Sequence, residues 1–497
     1  MDEVLDHWIA GRTDAGTSDR SGSVYDPALG HVARQVRFAS SADVDRAVAV
    51  AKEAFTSWGE ASIARRQQVL FGFRELLNAR KDELAAILTS EHGKVLSDAA
   101  GEVARGLEVV EFACAMPQLA KGAFSQNVST DVDVYSVKEP IGVAGIITPF
   151  NFPAMVPLWF APLAIACGNT VVLKPSEKDP SVANWMAGLL AEAGLPAGVF
   201  NVVHGDKEAV DALLVNPDVA SISFVGSTPI ARYVYETGTA HGKRVQALGG
   251  AKNHMLVLPD ADLDLVADSA VNAGFGSAGE RCMAISVVVA VETVADELIA
   301  KIRDRMGKLV TGDGRRSCDM GPLITREHRD KVAGYLDVAA ADGATVVVDG
   351  REVEPDGSPD GFWLGPTLID RVPTTSTVYT DEIFGPVLSV VRVASYADGV
   401  ALINAGPYGN GTAIFTNDGG AARRFQREVE VGMVGINVPI PVPVAYHSFG
   451  GWKASIFGDA KAYGPQGVEF FTREKAITSR WLDPSHGGLN LGFPQHT

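Results

Sequence analysis

From Pro140 to Leu173 the chain carries no charged residue, and that run limits what it can fold into more than any other stretch. A membrane-spanning helix needs about 20 uninterrupted apolar residues. Here Pro149, Pro153, Pro157 and Pro162 punctuate the run, together with Asn151 and Asn169, and prolines at that density break a helix repeatedly. The stretch reads as two buried strands around a loop and a short helix. Strands buried on both faces need layers of structure above and below them, hence a large chain. The 497 residues, 46% hydrophobic and 21% charged, allow for roughly two to four structural units.

The flanking sequence supplies those layers. Residues 42–58 place Val44, Ala47, Val48, Ala51, Phe55 and Trp58 at helical spacing, with Ser40 or Ser41 available as N-cap. Helical patterns continue over 61–90 and about 97–116. Strands rich in Val and Ile follow at 141–148, 170–174, 199–204 and 221–225, separated by helical patterns near 180–193, 206–215 and 228–239. Strand–helix–strand alternation predicts an α/β architecture with a parallel, doubly wound sheet. After Gly249-Gly250 a second alternating unit begins, with strands near 255–258, 285–291, 345–349, 387–393, 413–416 and 433–437. Residues 349–362 form a polar loop within it, and the tail from Asp483 is expected to lie over the surface. Two α/β lobes in one chain suggest a nucleotide in one lobe and chemistry in the cleft between them.

Charge and cysteine usage exclude several function classes. Sixty Asp and Glu against 43 Lys and Arg leave a net charge of -17, the wrong balance for nucleic acid. Cys114, Cys167, Cys282 and Cys318 form no C-x-x-C pair and have no His at zinc spacing, so neither a disulfide framework nor a metal site is expected. Reduced thiols and an acidic N-terminus without an apolar signal core point to the cytoplasm.

Six short motifs offer chemistry, none of them decisive alone. Gly274-Phe-Gly276-Ser-Ala-Gly279 matches a dinucleotide fingerprint, but a helical pattern precedes it where a strand is required. Phe224-Val225-Gly226-Ser227-Thr228 is the better phosphate site, a strand-to-helix turn with a hydroxyl and a helix N-terminus, or else a plain β-to-α turn. In Lys174-Pro175-Ser176-Glu177 a carboxylate after a strand can accept both ribose hydroxyls and repel a 2′-phosphate, favouring NAD over NADP. The alternative is a helix start capped by Ser176. In Glu280-Arg281-Cys282 the arginine would favour the thiolate, although a cysteine is more often a small buried hydrophobe. In Pro149-Phe-Asn151-Phe-Pro153, inside the uncharged run, the Asn151 amide could hold an oxyanion or merely a turn. Glu382-Ile-Phe384-Gly385-Pro386 places a carboxylate and an aromatic before a tight turn.

Taken together, PFNFP, KPSE, FVGST, LGGAKN, GERC, EIFGPV and SFGGWKAS resemble the aldehyde dehydrogenase superfamily, in its order and over essentially the whole chain. LGGAKNH, RCMA, INVPIPVP and FFTREKAITSRW look like its CoA-acylating methylmalonate-semialdehyde (malonate-semialdehyde) dehydrogenases. The resemblance implies a Rossmann-type NAD-binding domain (1–121 and 141–249), an α/β catalytic domain (250–450) and a small β oligomerisation flap (122–140 and 466–482) in a homotetramer. Within the flap, residues 468–472 read as a strand able to extend a neighbour's sheet.

The same resemblance assigns roles. Cys282 would attack the aldehyde, with Asn151 holding the oxyanion. Thr148, Phe150, Lys174, Glu177, Lys178, Ser227, Gly249 and Glu382 would hold NAD. Arg105 and Arg281 would bind the carboxylate of a semialdehyde, since two guanidinium forks select it over a neutral aldehyde. Hydrolytic members carry a Glu just before Leu-Gly-Gly, where this chain has Ala247, so the thioester is expected to pass to CoA. Glu280 stands where relatives often have Gln, and could raise the Cys282 pKa or pair with Arg281. A hydrolytic semialdehyde dehydrogenase and a catalytically silent NAD-binding relative are the rival readings. The first is disfavoured by Ala247 and the second by Cys282 and Asn151.

Overall fold

The computed structural model describes residues 4–481, so the tail expected to lie over the surface falls outside the described residues. Two large parallel sheets dominate. In the first, five parallel strands lie in the spatial order Arg244–Leu248, Val219–Val225, Val143–Ile147, Thr170–Lys174, Phe200–Val202, with antiparallel strands added at both edges. Numbered along the chain, this order is 5-4-1-2-3. It reverses between Val143–Ile147 and Val219–Val225, and a crevice opens at the carboxyl ends of such a pair.

The uncharged run builds the centre of this lobe. Val143–Ile147 and Thr170–Lys174 are buried throughout, and Met155–Cys167 between them is a helix buried at every position despite Pro162. Gly168, at φ +98, ends that helix in the left-handed conformation and turns the chain into the next strand. The Ser41–Trp58 helix is capped as expected, with Ser40 and Asp43 forming a reciprocal capping box. The helical run expected over 61–90 is two helices, Ile63–Ala79 and Lys81–His92, broken at Arg80. Among the described residues, no helix is long and apolar enough to cross a membrane.

The second sheet orders its strands Thr345–Val348, Thr367–Asp370, Val387–Val393, Ile285–Val291, Asn253–Val257, Gly411–Phe415, Met433–Ile436, all parallel except the first. The loops entering it at 250–252, 280–284, 382–386 and 410 meet the loops leaving the first sheet. A third, antiparallel sheet pairs Phe124–Ser129 with Val132–Pro140, and Val132–Pro140 with Thr472–Arg480.

One expectation about this third sheet is overturned. Residues 468–472 are not a strand: Gly464–Phe470 is a helix with Pro465 in its first turn, and the strand starts only at Thr472. Its apolar residues, Val468 and Phe470, sit in the core that holds Leu163 and Phe471, so burial against the Met155–Cys167 helix overrides the β-propensity of Val and Phe.

Candidate active site

The crevice at the reversal point is a cleft of about 610 Å³. Its walls come from the ends of the first-sheet strands and from the loops entering the second sheet. Thr148, Phe150, Asn151, Lys174, Glu177, Lys178, Ser227, Gly249, Cys282 and Glu382 all line it. These residues are scattered over nearly half the chain, and the two sheets bring them to one space.

The cleft suits a dinucleotide. Ser227 precedes the Thr228–Ala240 helix without capping it, which leaves the first N–H groups of a long helix open toward the cleft. The Thr148 hydroxyl is buried and unpartnered, and the Glu177 carboxylate is half-exposed, 3.4 Å from the Lys174 ammonium. Lys178 stands over the Phe150 ring at 4.7 Å, and Phe384 meets that ring edge-on at 5.8 Å. The Gly-rich match at 274–279 is not a phosphate loop. It follows the Leu263–Phe275 helix, and Ser277, Ala278 and Gly279 form a left-handed turn that leads into Glu280.

Ser176 does not cap a helix. The next helix starts at Ser181 behind Pro180, and the Ser176 hydroxyl instead accepts the Lys178 N–H at 3.1 Å. Proline at 180 delays the helix by four residues, because it disfavours the helical conformation at the residue before it.

Cys282 sits at the entry to Ile285–Val291, and its peptide is held tightly. Its carbonyl accepts from Asn253 Nδ2 at 2.9 Å and from Asn410 Nδ2 at 3.2 Å. Asn253 in turn accepts the Gly411 N–H at 3.0 Å. Burial pushes the Cys282 thiol up to about 12, and the Glu382 carboxylate pushes the same way. The backbone N–H groups of Cys282 and Met283 and then Arg281 favour the thiolate less strongly. Arg281 acts on the thiol in the expected direction but is outweighed by burial: its guanidinium is turned onto Asp98, Nη2 to Oδ1 2.6 Å, and packs on Gly276, where any Cβ would collide with it.

Glu280 neither pairs with Arg281 nor figures among the groups that raise the thiol. It is wholly buried between His92 at 3.8 Å and His328 at 3.7 Å, and its carboxyl is pushed up to about 8 by that burial. His328 donates from Nε2 to the Phe384 carbonyl at 2.7 Å, because a carbonyl can only accept. Phe384 is held there at φ +58, a region an aromatic residue rarely occupies.

Glu382 accepts the Ala251 N–H at 2.9 Å and lies against Gly250, which has no room for a side chain. Burial pushes its carboxyl up to about 7. Ala247 is fully buried in an apolar cluster, in register with Phe224 on one side and Phe457 on the other. It offers no base.

Arg105 and Arg281 are absent from the cleft lining. They belong instead to its flank, on or against the Leu96–Cys114 helix. Arg105 donates to Glu108 at 2.6 Å and to the Pro443 carbonyl at 2.8 Å, and that carbonyl also accepts the Tyr463 hydroxyl at 3.0 Å. Sequence reasoning missed Lys94, Glu102, Asn253, Asn410 and His328. Asn253 lies inside the LGGAKN motif and Lys94 stands after a helix-ending glycine, but nothing in either pattern says what the side chain meets across the fold.

Comparison with known proteins agrees with this architecture. The family model described as Aldehyde dehydrogenase family matches residues 14–477. A malonate-semialdehyde dehydrogenase of Pseudomonas aeruginosa is 55% identical, covering 99% of this chain and 99% of its own. The methylmalonate-semialdehyde dehydrogenase structure from Oceanimonas doudoroffii superposes with a TM-score of 0.95 at 53% identity, over 97% of this chain and 99% of that one. A Sinorhizobium meliloti structure complexed with NAD gives 0.96 at 50% identity, with the same coverage. With its two facing sheets, its cysteine at their junction and its full-length relatives, the chain belongs to the aldehyde dehydrogenase family.

Proposed function

We propose that the protein is an NAD-dependent, CoA-acylating dehydrogenase of methylmalonate semialdehyde and malonate semialdehyde. The observation that carries this reading is the convergence of Cys282, Asn151 and eight cofactor-type residues on one cleft, with Ala247, two residues before the lining Gly249, offering no base. Relatives named for these two substrates, alike over nearly their whole length, support it.

Cys282 attacks the aldehyde carbon, and the oxyanion that forms is held by the Asn151 amide and the Cys282 backbone N–H. NAD, when bound, takes up the hydride. Thr148, Phe150, Lys174, Glu177, Lys178, Ser227 and Gly249 hold it, and Glu382 takes the nicotinamide ribose. The carboxylate at 177 selects against a 2′-phosphate. Arg105 and Arg281 bind the substrate carboxylate from the flank of the cleft. The acyl group is left on Cys282 as a thioester. Water is poorly activated beside Ala247, so the thioester passes to the CoA thiol. The malonyl-type acyl group loses CO2 because the thioester carbonyl stabilises the carbanion. The products are propionyl-CoA from the methylated substrate and acetyl-CoA from the other.

The assembly we propose is a homotetramer in the cytoplasm, with 1–121 and 141–249 as the cofactor domain, 250–450 as the catalytic domain and 122–140 with 466–482 as the flap. Among the described residues Thr472–Arg480 is an edge strand, and Phe124 and Tyr135 of the same sheet and Trp481 next to it are exposed, which favours pairing with another copy.

The test is NADH formation from methylmalonate semialdehyde with and without CoA, with mass identification of the acyl product. Sustained turnover is expected only with CoA, with propionyl-CoA and CO2 as products. Equal turnover to a free acid without CoA would overturn the acylating reading.

A further inference from the structure

Lys94 and Glu102 form an ion pair with no exposed side-chain surface, Nζ to Oε2 2.6 Å. A buried pair of this kind rarely stabilises a fold better than two apolar side chains of equal size. Its other contacts therefore matter more than the pair itself.

All of them go to the segment that carries Asn151. The second bond of Lys94 Nζ is to the Asn151 backbone carbonyl, at 2.7 Å, and the ammonium stands 4.6 Å over the Phe152 ring. Glu102 Oε1 accepts the N–H groups of Ala154 at 2.8 Å and Met155 at 3.1 Å. Those are first-turn donors of the Met155–Cys167 helix, which has no side-chain cap of its own. A cation holds the carbonyl at one end of residues 151–155, and an anion holds the N–H groups at the other.

Both partners are themselves anchored. Glu102 is on the Leu96–Cys114 helix. Lys94 follows Gly93, which ends the Lys81–His92 helix at φ +90, and the backbone of 93–95 is approached so closely by Gly314 and Gly321 of the other lobe that neither could carry a Cβ. The Asn151 amide is thus located by a bridge that touches both lobes.

We propose that Lys94 and Glu102 are positioning residues for the oxyanion-binding amide of Asn151, acting on the reaction only through it. The inference rests on the role assigned to Asn151 above. A misplacement of about 1 Å costs roughly a hundredfold in rate. Lys94→Met and Glu102→Gln should therefore each lower kcat by tenfold or more, while the dissociation constant for NAD moves by less than about threefold.

The experiment places each change in the full-length enzyme alone and together with Asn151→Ala, and follows NADH formation from propanal and from methylmalonate semialdehyde with CoA. In the Asn151→Ala background the further loss from Lys94→Met or Glu102→Gln should vanish. Losses that multiply with that of Asn151→Ala, or folded single variants with unchanged kcat, would overturn the proposal. Unchanged kcat in Asn151→Ala alone would instead remove the role of Asn151 on which it rests. Thermal unfolding reports whether each variant folds. Should Lys94→Met fail to fold, Glu102→Gln, which keeps size and an acceptor oxygen, carries the same comparison.

Discussion

Arg281 and Asp98 meet at 2.6 Å on the flank of the cleft, so the arginine next to Cys282 already holds one carboxylate of the chain itself. A planar guanidinium can hold Asp98 with one arm and a second carboxylate with another, whereas an ammonium offers a single point charge. Arg281→Lys should raise KM for methylmalonate semialdehyde by about tenfold, and leave KM for propanal unchanged. Steady-state kinetics on the two substrates checks this, and an equal rise for both would detach Arg281 from carboxylate recognition.

The Cys282 thiol, pushed up to about 12 by burial, is protonated throughout the neutral range in the free enzyme. Its alkylation by iodoacetamide should climb about tenfold per pH unit between pH 7 and 9, since the reactive thiolate fraction does so below the pKa. Arg281→Met should change that profile little, because Arg281 is the weakest of the groups acting on the sulfur. A plateau below pH 8 would mean that the thiolate is stabilised already without cofactor.

Glu280 titrates at about 8 in the fold against 4.5 for a free side chain. The folded protein thus binds the extra proton between those values, and its stability falls as pH rises from about 4.5 to about 8. Glu280→Gln cannot titrate. Its urea midpoint relative to the parent protein should therefore improve from pH 5 to about pH 8 and level off above that. A pH-independent difference would show that Glu280 is ionised across the range.

Glu177 faces the cleft beside Lys174, 3.4 Å away, at the carboxyl end of Thr170–Lys174. Glu177→Gln removes the repulsion toward a 2′-phosphate and weakens the hold on the ribose hydroxyls. The ratio of kcat/KM for NAD over that for NADP should drop by about a hundredfold, the sum of two effects of about 1–1.5 kcal/mol each. An unchanged ratio would place cofactor choice elsewhere.

Local pattern was enough for the elements that are buried on all sides or capped by their own residues. Thr170–Lys174, Ile285–Val291 and Val387–Val393 lie at the residues where the β-branched runs stand, and Ser40 caps the helix that its position announces. The motif order also told which residues would share a cleft. Asn151, Glu177, Ser227, Cys282 and Glu382 each follow a strand or precede one, and in a wound α/β fold strand ends are where chain segments converge.

What the sequence could not determine is which partner each charged group finds. Arg281 next to a thiol reads as an activator, yet in the fold Asp98, far away in the chain, takes its guanidinium. Residues 468–472 read as a strand and are mostly helix, because their apolar side chains find a helix to pack on. Lys94 and Glu102 carry no motif, yet the fold buries them together beneath Asn151. Strand, helix and cap preferences are set by neighbours within a few residues. Ion pairing and burial depend on contacts between distant segments, and those exist only once the two sheets have closed on each other.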